Sequence, residues 1–458
     1  MGKLDVDLTL VKKYDVAGPR YTSYPPATHF TEAVTWADLT AEILENNKAE
    51  GDLSLYFHIP FCETLCWFCG CTTVITRSHP QGTTYVDYLG KEMARMAALL
   101  DPRRKVVQVH LGGGSPTFLQ PDEIRTLGGL IRSNFSFADD IEASVEIDPR
   151  RLTREHVVAL SDVGFNRASM GVQDFDPKVQ EAMHRIQPRE LTAEVMGWVR
   201  ELGFQSLNLD LIYGLPFQTV DSFERTLDAV LELGPDRLAV FSYAHVPWIK
   251  PAQKILQKQP LPSAETKLEL LKLVIEKLTD GGRYIYIGMD HFAVPGDELA
   301  VAQRDKALQR NFQGYSTRAG ADLYAFGMSG ISQIPTAYWQ NEKELESYYA
   351  ALDAGRVPLA RGYLLTEEDK IRRETIMRLM CDLSLDYAAM SLKLGIDFPR
   401  HFAREIESLA DLEADNLVRR NAGGIEVTDV GRLFIRNIAM RFDATLVPEN
   451  ERRFSRTV

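Results

Sequence analysis

LSLYFHIPFCETLCWFCGC, residues 53–71, runs from a β-rich stretch into a loop that carries Cys62, Cys66, Cys69 and Cys71. The stretch 53–60 reads as a strand. The chain has five cysteines in 458 residues, and the fifth, Cys381, lies far downstream. Four thiols on so short a loop, interleaved with Trp67 and Phe68, suggest metal or redox chemistry before disulfides. A bridge such as Cys69 to Cys71 would be strained.

Bulk properties narrow the setting. A hydrophobic content of 45% and a charged content of 25% are ordinary for a soluble globular protein. The length suits one large domain plus a smaller one. A net charge of -12 argues against a broad nucleic-acid or anionic-membrane surface. The N-terminus, MGKLDVDLTLVKKYD, has no apolar core of signal-peptide length, and no uncharged apolar run approaches the ~18 residues of a membrane span. The expectation is a cytoplasmic chain with neither nucleic acid nor membrane as partner.

Outward from residue 53, strand patterns recur at 105–114, 141–149, 166–174, 206–216 and 236–247. Between the first two, Val86, Leu89, Met93, Met96 and Leu100 recur at steps of three and four, an amphipathic helix with Thr83 or Thr84 near its cap. Helical patterns also fill 121–133, 153–163, 189–202, 219–233 and 263–280. Six strand-then-helix units imply a parallel sheet with helices outside, as an open sheet or as a barrel. Either arrangement collects ligands at the C-terminal ends of the strands.

The unusual residues fall there. The cysteine loop follows the first strand, and GGGSPT (112–117) follows the second, with glycines that let a ligand approach the backbone. Glu146 lies near the end of the third strand, Gln173 near the end of the fourth and Asp210 on the fifth, while Ser242 to His245 close the sixth. Each alone is an ordinary strand-end residue; their convergence on one face marks a site. For the cysteines, four thiolates suit a closed zinc site. Zinc more often joins ligand pairs from separate turns, whereas one loop between apolar rings suits an iron–sulfur cluster with an open iron. Spacing ranks the cluster first and leaves the fourth ligand unnamed.

The run CETLCWFC resembles the radical S-adenosylmethionine (SAM) enzymes, and the six units resemble their partial barrel. PRYTSYPPATHF (19–30), FHIPFCETLCWFCGC (57–71), LGGGSPTFL (111–119), VEIDPR (145–150), GVQDFD (171–176), LDLIYGLP (209–216), IGMDHFA (287–293) and NFQGYSTRAGADLYAFGMSGIS (311–332) resemble the oxygen-independent coproporphyrinogen III oxidases. That resemblance implies an α/β fold, a partial (β/α)6 radical SAM barrel with an N-terminal arm and a mainly helical C-terminal domain. The expected divisions are an arm at 1–35 over the active site, the barrel at 36–300, a segment completing the site at 301–359 and the helical domain at 360–458. Helical patterns at 367–382, 385–393 and 399–413 followed by a Gly-Gly hairpin give this last domain a winged-helix look.

The resemblance implies oxidative decarboxylation of two propionates of coproporphyrinogen III to vinyl groups, giving protoporphyrinogen IX. Cys62, Cys66 and Cys69 would hold a [4Fe-4S] cluster whose open iron chelates one SAM, and cleavage of that SAM would yield a 5'-deoxyadenosyl radical. Tyr56, Gly113, Glu146 and Ile331 match the family's contacts to this SAM. Phe68, Gly114, Ser115, Gln173, Arg185, Asp210 and Ala244 match those to a second SAM; the family usually has Thr where this chain has Ser115. The resemblance implies that Cys71 is a catalytic neighbour of the cluster that does not ligate it; its plainer reading is a small buried residue under the loop. Arg20 on the arm is a candidate partner for the tetra-anionic substrate or a solvated arginine. His58 and His291 are read as structural. A reducing electron-donor protein is implied as partner, and no feature argues against a monomer. A radical SAM haem chaperone and a haem-modifying radical SAM enzyme are the alternatives; Cys71 together with the PRYTSYP arm argues against the chaperone.

Overall fold

In the computed structural model, which describes residue 4 and residues 6–49 and 51–446, the stretch at 53 is strand β1 (Leu53–Ile59), buried at every position but Tyr56. Burial on both faces is what a central parallel strand requires, and it explains why the run reads as continuously apolar. The strands that follow are β2 (Lys105–Gly113), β3 (Ser136–Ile147), β4 (Arg167–Gln173), β5 (Ser206–Tyr213) and β6 (Arg237–Ser242). They lie side by side in chain order, each parallel to the next. The helices between them are α1 (Pro80–Ala97), α2 (Pro121–Asn134), α3 (Arg154–Asp162), α4 (Arg189–Glu201) and α5 (Val220–Leu233).

The other edge of β1 decides between sheet and closed barrel. It does not take β6. Instead β1 pairs in parallel with β7 (Asp322–Phe326), and the sheet continues through β8 (Ile331–Gln333), β9 (Ala337–Asn341) and β10 (Leu359–Leu364), each antiparallel to its predecessor. The six parallel strands therefore form a partial barrel. Period-two patterning did not announce β7 and β9, because all five residues of each are buried and a short fully apolar run carries no alternation.

Four local expectations need correction. α1 starts at Pro80, whose missing N–H suits the first helical position, so Thr83 and Thr84 lie inside the helix; the Thr84 hydroxyl donates back to the Pro80 carbonyl at 3.2 Å. β3 begins at Ser136, before the expected strand. β6 ends at Ser242, which leaves Ala244 and His245 in the loop beyond it. The stretch 399–413 breaks into three short helices, Phe398–His401, Ala403–Glu407 and Ala410–Ala414.

The chain divides into two compact units, one of Phe30–Pro262 with Gly320–Leu364 and one of Met1–His29 with Ser263–Ala319 and Leu365–Val458. The first contains the partial barrel. The second is mostly helical, with Ala264–Thr279 and Glu367–Asp382 its longest helices. It also holds the expected hairpin Val418–Asn421/Gly424–Val427, to which Ser384–Asp386 adds a third strand. Among the described residues no helix is long and apolar enough to cross a membrane.

Candidate active site

The cysteine loop is fixed by the segments that follow β4 and β6. The Trp67 N–H donates to the Met183 carbonyl at 3.1 Å, and the Trp67 ring stacks on His184 at 4.9 Å. From the segment after β6, Gln253 Nε2 donates to the Phe68 carbonyl at 2.9 Å and Lys250 Nζ to the Cys71 carbonyl at 2.7 Å. Trp67 and Phe68 pack against the buried cluster Val179, Met183, Leu215, Tyr243 and Leu256. The aromatic residues thus pin the loop as well as shield it.

The glycine turn after β2 closes against the start of that loop. The Gly114 N–H donates to the Ile59 carbonyl at 2.8 Å and the Ser115 N–H to the Phe61 carbonyl at 2.9 Å. Gly113 has φ +117°, and a Cβ on Gly114 would lie 2.5 Å from the Pro60 carbonyl oxygen. Side chains at these positions would be strained or would push the two segments apart.

These elements enclose a cavity of about 330 Å3. Of the residues singled out in the sequence, Cys62, Cys66, Phe68, Cys69, Cys71, Gly113, Gly114, Ser115, Glu146, Gln173, Arg185 and Asp210 line it. Tyr56, Ala244 and Ile331 do not line it among the described residues. Tyr56 is joined to it indirectly, its ring stacked on His110 at 5.8 Å while His110 Nε2 lies 3.4 Å from Glu146 Oε1. Ala244 follows β6, and Ile331 opens β8. His58 is structural in a definite way: the Tyr56 hydroxyl meets its Nδ1 at 3.1 Å, and its Nε2 meets the Thr72 carbonyl at 2.9 Å.

The cavity is split electrostatically. On the cysteine side, Asp148 takes hydrogen bonds from Arg150 Nε at 2.9 Å, Nη2 at 2.6 Å and the backbone N–H at 3.1 Å, and two longer ones from Arg185, both at 3.4 Å. Burial pushes its carboxyl up, but Arg185 and Arg150 outweigh that and hold it well below the usual range. Both arginines also reach Cys66 Sγ, Arg150 at 3.4 Å and Arg185 at 3.7 Å. Arg185 is fixed further by the Gly171 carbonyl at 2.7 Å and Gln187 Oε1 at 3.1 Å. The sequence reading singles out Glu146 in the segment VEIDPR and not Asp148 or Arg150 of the same segment.

On the opposite side, Glu146 accepts from the Gly113 N–H at 3.1 Å. Burial raises its carboxyl, but the His110 hydrogen bond and charge bring it below the ordinary value. Asp210 accepts from Asn208 Nδ2 at 2.7 Å and from the Ser169 hydroxyl at 3.3 Å. Burial, then the Glu146 charge, push it up to about 7. Gln173 is one of the few non-glycine residues in the left-handed region, with φ +68°, a cost that tends to accompany ligand contact.

The donor set fits an iron–sulfur cluster. The Cys71 N–H lies 3.4 Å from Cys69 Sγ, and the arginines above point N–H groups at Cys66; such hydrogen bonds to sulfur are what tunes cluster potential. The Cys69 thiol is drawn down to about 6 by its hydrogen bond from Cys71, with Lys250 and Arg185 assisting against burial. The same bond holds the Cys71 thiol well above its ordinary value. Cys69 is thus disposed to be a thiolate and Cys71 to keep its proton. Among the described residues no three His, Cys, Asp or Glu side chains are arranged to hold a single ion; a cluster asks less, because each thiolate binds its own iron.

Comparison with known proteins agrees with this geometry. Residues 56–230 match the radical SAM superfamily and residues 365–434 the HemN C-terminal domain. The oxygen-independent coproporphyrinogen III oxidase of Salmonella typhimurium is 46% identical over 100% of this chain and 99% of its own. That of Synechocystis is 44% identical over 98% of this chain and 97% of its own. The solved coproporphyrinogen III oxidase of Escherichia coli, described as a radical SAM enzyme, superposes with a TM-score of 0.92 at 45% identity, covering 97% of this chain and 100% of that one. The chain belongs to the family of oxygen-independent coproporphyrinogen III oxidases.

Proposed function

We propose that this enzyme oxidatively decarboxylates two propionate side chains of coproporphyrinogen III to vinyl groups, giving protoporphyrinogen IX. The observation that carries the reading is the single cavity in which three cysteines, a glycine turn and the strand-end residues of β3, β4 and β5 meet, in a chain matched from end to end by the oxidases. A [4Fe-4S] cluster held here would supply the one-electron reduction of SAM on which hydrogen removal from a propionate depends.

Cys62, Cys66 and Cys69 hold the cluster. Gly113 and Glu146, with Tyr56 and Ile331, serve the first SAM. The Gly113 N–H already points at the Glu146 carboxylate, so backbone and side chain present one polar edge. Phe68, Gly114, Ser115, Gln173, Arg185, Asp210 and Ala244 serve a second SAM, in which Arg185 pairs with the methionine carboxylate and Asp210 accepts from ribose hydroxyls. Cys71, protonated beside Cys69, stands near the reacting groups without ligating iron. Apolar walls at Phe68, Ile147 and Phe241 keep water from a radical that would attack nearly anything. A reducing electron-donor protein completes the system, and the chain works as a monomer.

Anaerobic turnover of coproporphyrinogen III with SAM and a reductant tests this. Protoporphyrinogen IX with release of two carbon dioxide molecules is the expected result. Haem binding without turnover, or a methylated product, would transfer the chain to one of the alternatives.

A further inference from the structure

A second opening adjoins the reaction cavity. It measures about 410 Å3, and Cys71, Thr73, Lys250, Lys343, Glu344 and Glu346 are among its lining residues. Cys71 and Thr73 line the reaction cavity as well, so the two spaces share a wall at the end of the cysteine loop. Cys71 is exposed there rather than buried under its loop. Every residue of this opening belongs to the first unit. Lys343 follows β9 and stands just before the helix Leu345–Asp353. Lys250 lies in the segment after β6, and its Nζ donates to the Cys71 carbonyl at 2.7 Å.

The two lysines lack anionic partners. Among the described residues neither forms an ion pair, and the Lys343 side chain makes no hydrogen bond. The charge that acts on Lys343 is another cation: partial burial, then Arg361, hold its ammonium below the ordinary value. Arg361 Nε donates to Gln340 Oε1 at 2.8 Å, and its guanidinium lies over the Phe30 ring at 5.6 Å. Glu344 and Glu346 line the same opening without pairing with Lys250 or Lys343, and the Glu346 charge acts on Tyr349 instead. An ammonium held beside a like charge gains from an arriving carboxylate. Trp248 and Ile249, 71% and 64% exposed, directly precede Lys250. Cations beside exposed apolar side chains suit an apolar ring edged with carboxylates.

We propose that Lys343 and Lys250 are substrate-anchoring residues. They receive propionate carboxylates of the tetrapyrrole that stay outside the reaction cavity while another propionate reacts within it. Coproporphyrinogen III carries four propionates, and two survive in the product, so at each decarboxylation at least two carboxylates keep their charge. Cations that take those charges beside the cavity, without entering the chemistry, fix which propionate enters. The inference rests on the activity proposed above and names residues that recognise its substrate. The one other carboxylate in the reaction mixture belongs to SAM.

The test uses full-length, anaerobically reconstituted enzyme, titrated with coproporphyrin III, the fluorescent oxidised analogue that keeps all four propionates. Lys343→Gln should raise its Kd about threefold to tenfold, between the effect of an exposed ion pair and that of a charged hydrogen bond. Lys343→Glu, which adds repulsion, should raise it further, and Lys343→Arg should largely restore it. The KM for coproporphyrinogen should rise in parallel. Lys250→Gln should act in the same direction by a smaller factor, since Lys250 already bonds the Cys71 carbonyl. The gap between wild type and Lys343→Glu should narrow as salt is added. The tetramethyl ester of coproporphyrin should bind all variants alike, and the SAM-induced change in the cluster's EPR spectrum should be unaltered. Lys105→Glu makes the same change of net charge at the exposed start of β2 and should leave coproporphyrin binding as it is. Lys343→Glu within about twofold of wild type sinks the proposal, and so does equal weakening by Lys105→Glu or a defect confined to SAM. Should Lys343→Glu not fold, Lys250→Glu decides by the same criterion. A wild-type enzyme that binds coproporphyrin with these differences yet leaves coproporphyrinogen unchanged would overturn the assigned activity and keep the anchor.

Discussion

Asp148 and Asp290 each stand between guanidiniums, yet their surroundings differ in one respect. Beside Asp148, Arg150 and Arg185 also donate to Cys66, which in its proposed role as a cluster ligand would be a thiolate, so that two positive charges would face two negative ones. Beside Asp290, which pairs with Arg20, the neighbouring sulfur is Cys381, a thiol that burial pushes up to about 12. A balanced network positions its members and resists exchange. Two clusters of the same residue types thus differ in the sulfur beside them, one a member of the cysteine loop and the other a buried thiol far downstream.

The harshest way to break the balanced network is to remove its sulfur side. Cys62→Ser, Cys66→Ser and Cys69→Ser should each lose iron, labile sulfide and all turnover, because a three-point attachment has no spare ligand. Cys71→Ser should keep iron and sulfide while losing most of its turnover. Equal iron loss in all four variants, measured after anaerobic reconstitution, would cancel the separate role given to Cys71.

Removing the shared carboxylate comes next. Asp148→Ala strands the buried Arg185 and the largely buried Arg150 and should cost about 3–5 kcal/mol of stability in denaturant titration at pH 7. The folded-state carboxyl lies below its unfolded value, so this contribution is present above pH ~4 and fades as the solution is acidified through the folded value. A gap between wild type and variant that widens on acidification would contradict the pairing.

Arg185→Ala leaves Asp148 with Arg150 and should act on binding more than on folding. A charge-assisted pair is worth about 1.5–3 kcal/mol, roughly a tenfold to hundredfold change in affinity. Anaerobic calorimetry should show one of two SAM binding events weakened by that factor while the cluster-bound event persists. A single SAM per chain at saturation in wild type refutes the second site and leaves the activity standing.

The smallest effect belongs to Asp210, and its sign is opposite to that of Asp148. Its folded-state carboxyl is raised to about 7, so ionising it opposes folding, and the penalty grows as pH rises from about 4 to about 7. Asp210→Asn should gain stability relative to wild type over that window. The gain is about 1–2 kcal/mol once hydrogen bonds from Asn208 and Ser169, worth about 1 kcal/mol each, are discounted. Melting curves of the two proteins at pH 5 and pH 8 would show it; a difference independent of pH would mean the carboxyl is not raised.

The amino-acid sequence by itself determined the order of the parallel strands, the loop that carries the cysteines and most of the cavity wall. These are local matters: period, turn glycines and a cysteine spacing too tight to be accidental all act within a few residues, and parallel strand ends gather on one face whatever their neighbours do. It did not disclose β7 and β9, since short strands buried at every position carry no alternation. Nor did it single out Asp148 and Arg150, whose importance lies in a partner, Cys66, more than eighty positions upstream. Whether Arg20 is solvated or paired was likewise open on paper; only tertiary structure brings it to Asp290, because electrostatic energy depends on distance in space rather than along the sequence.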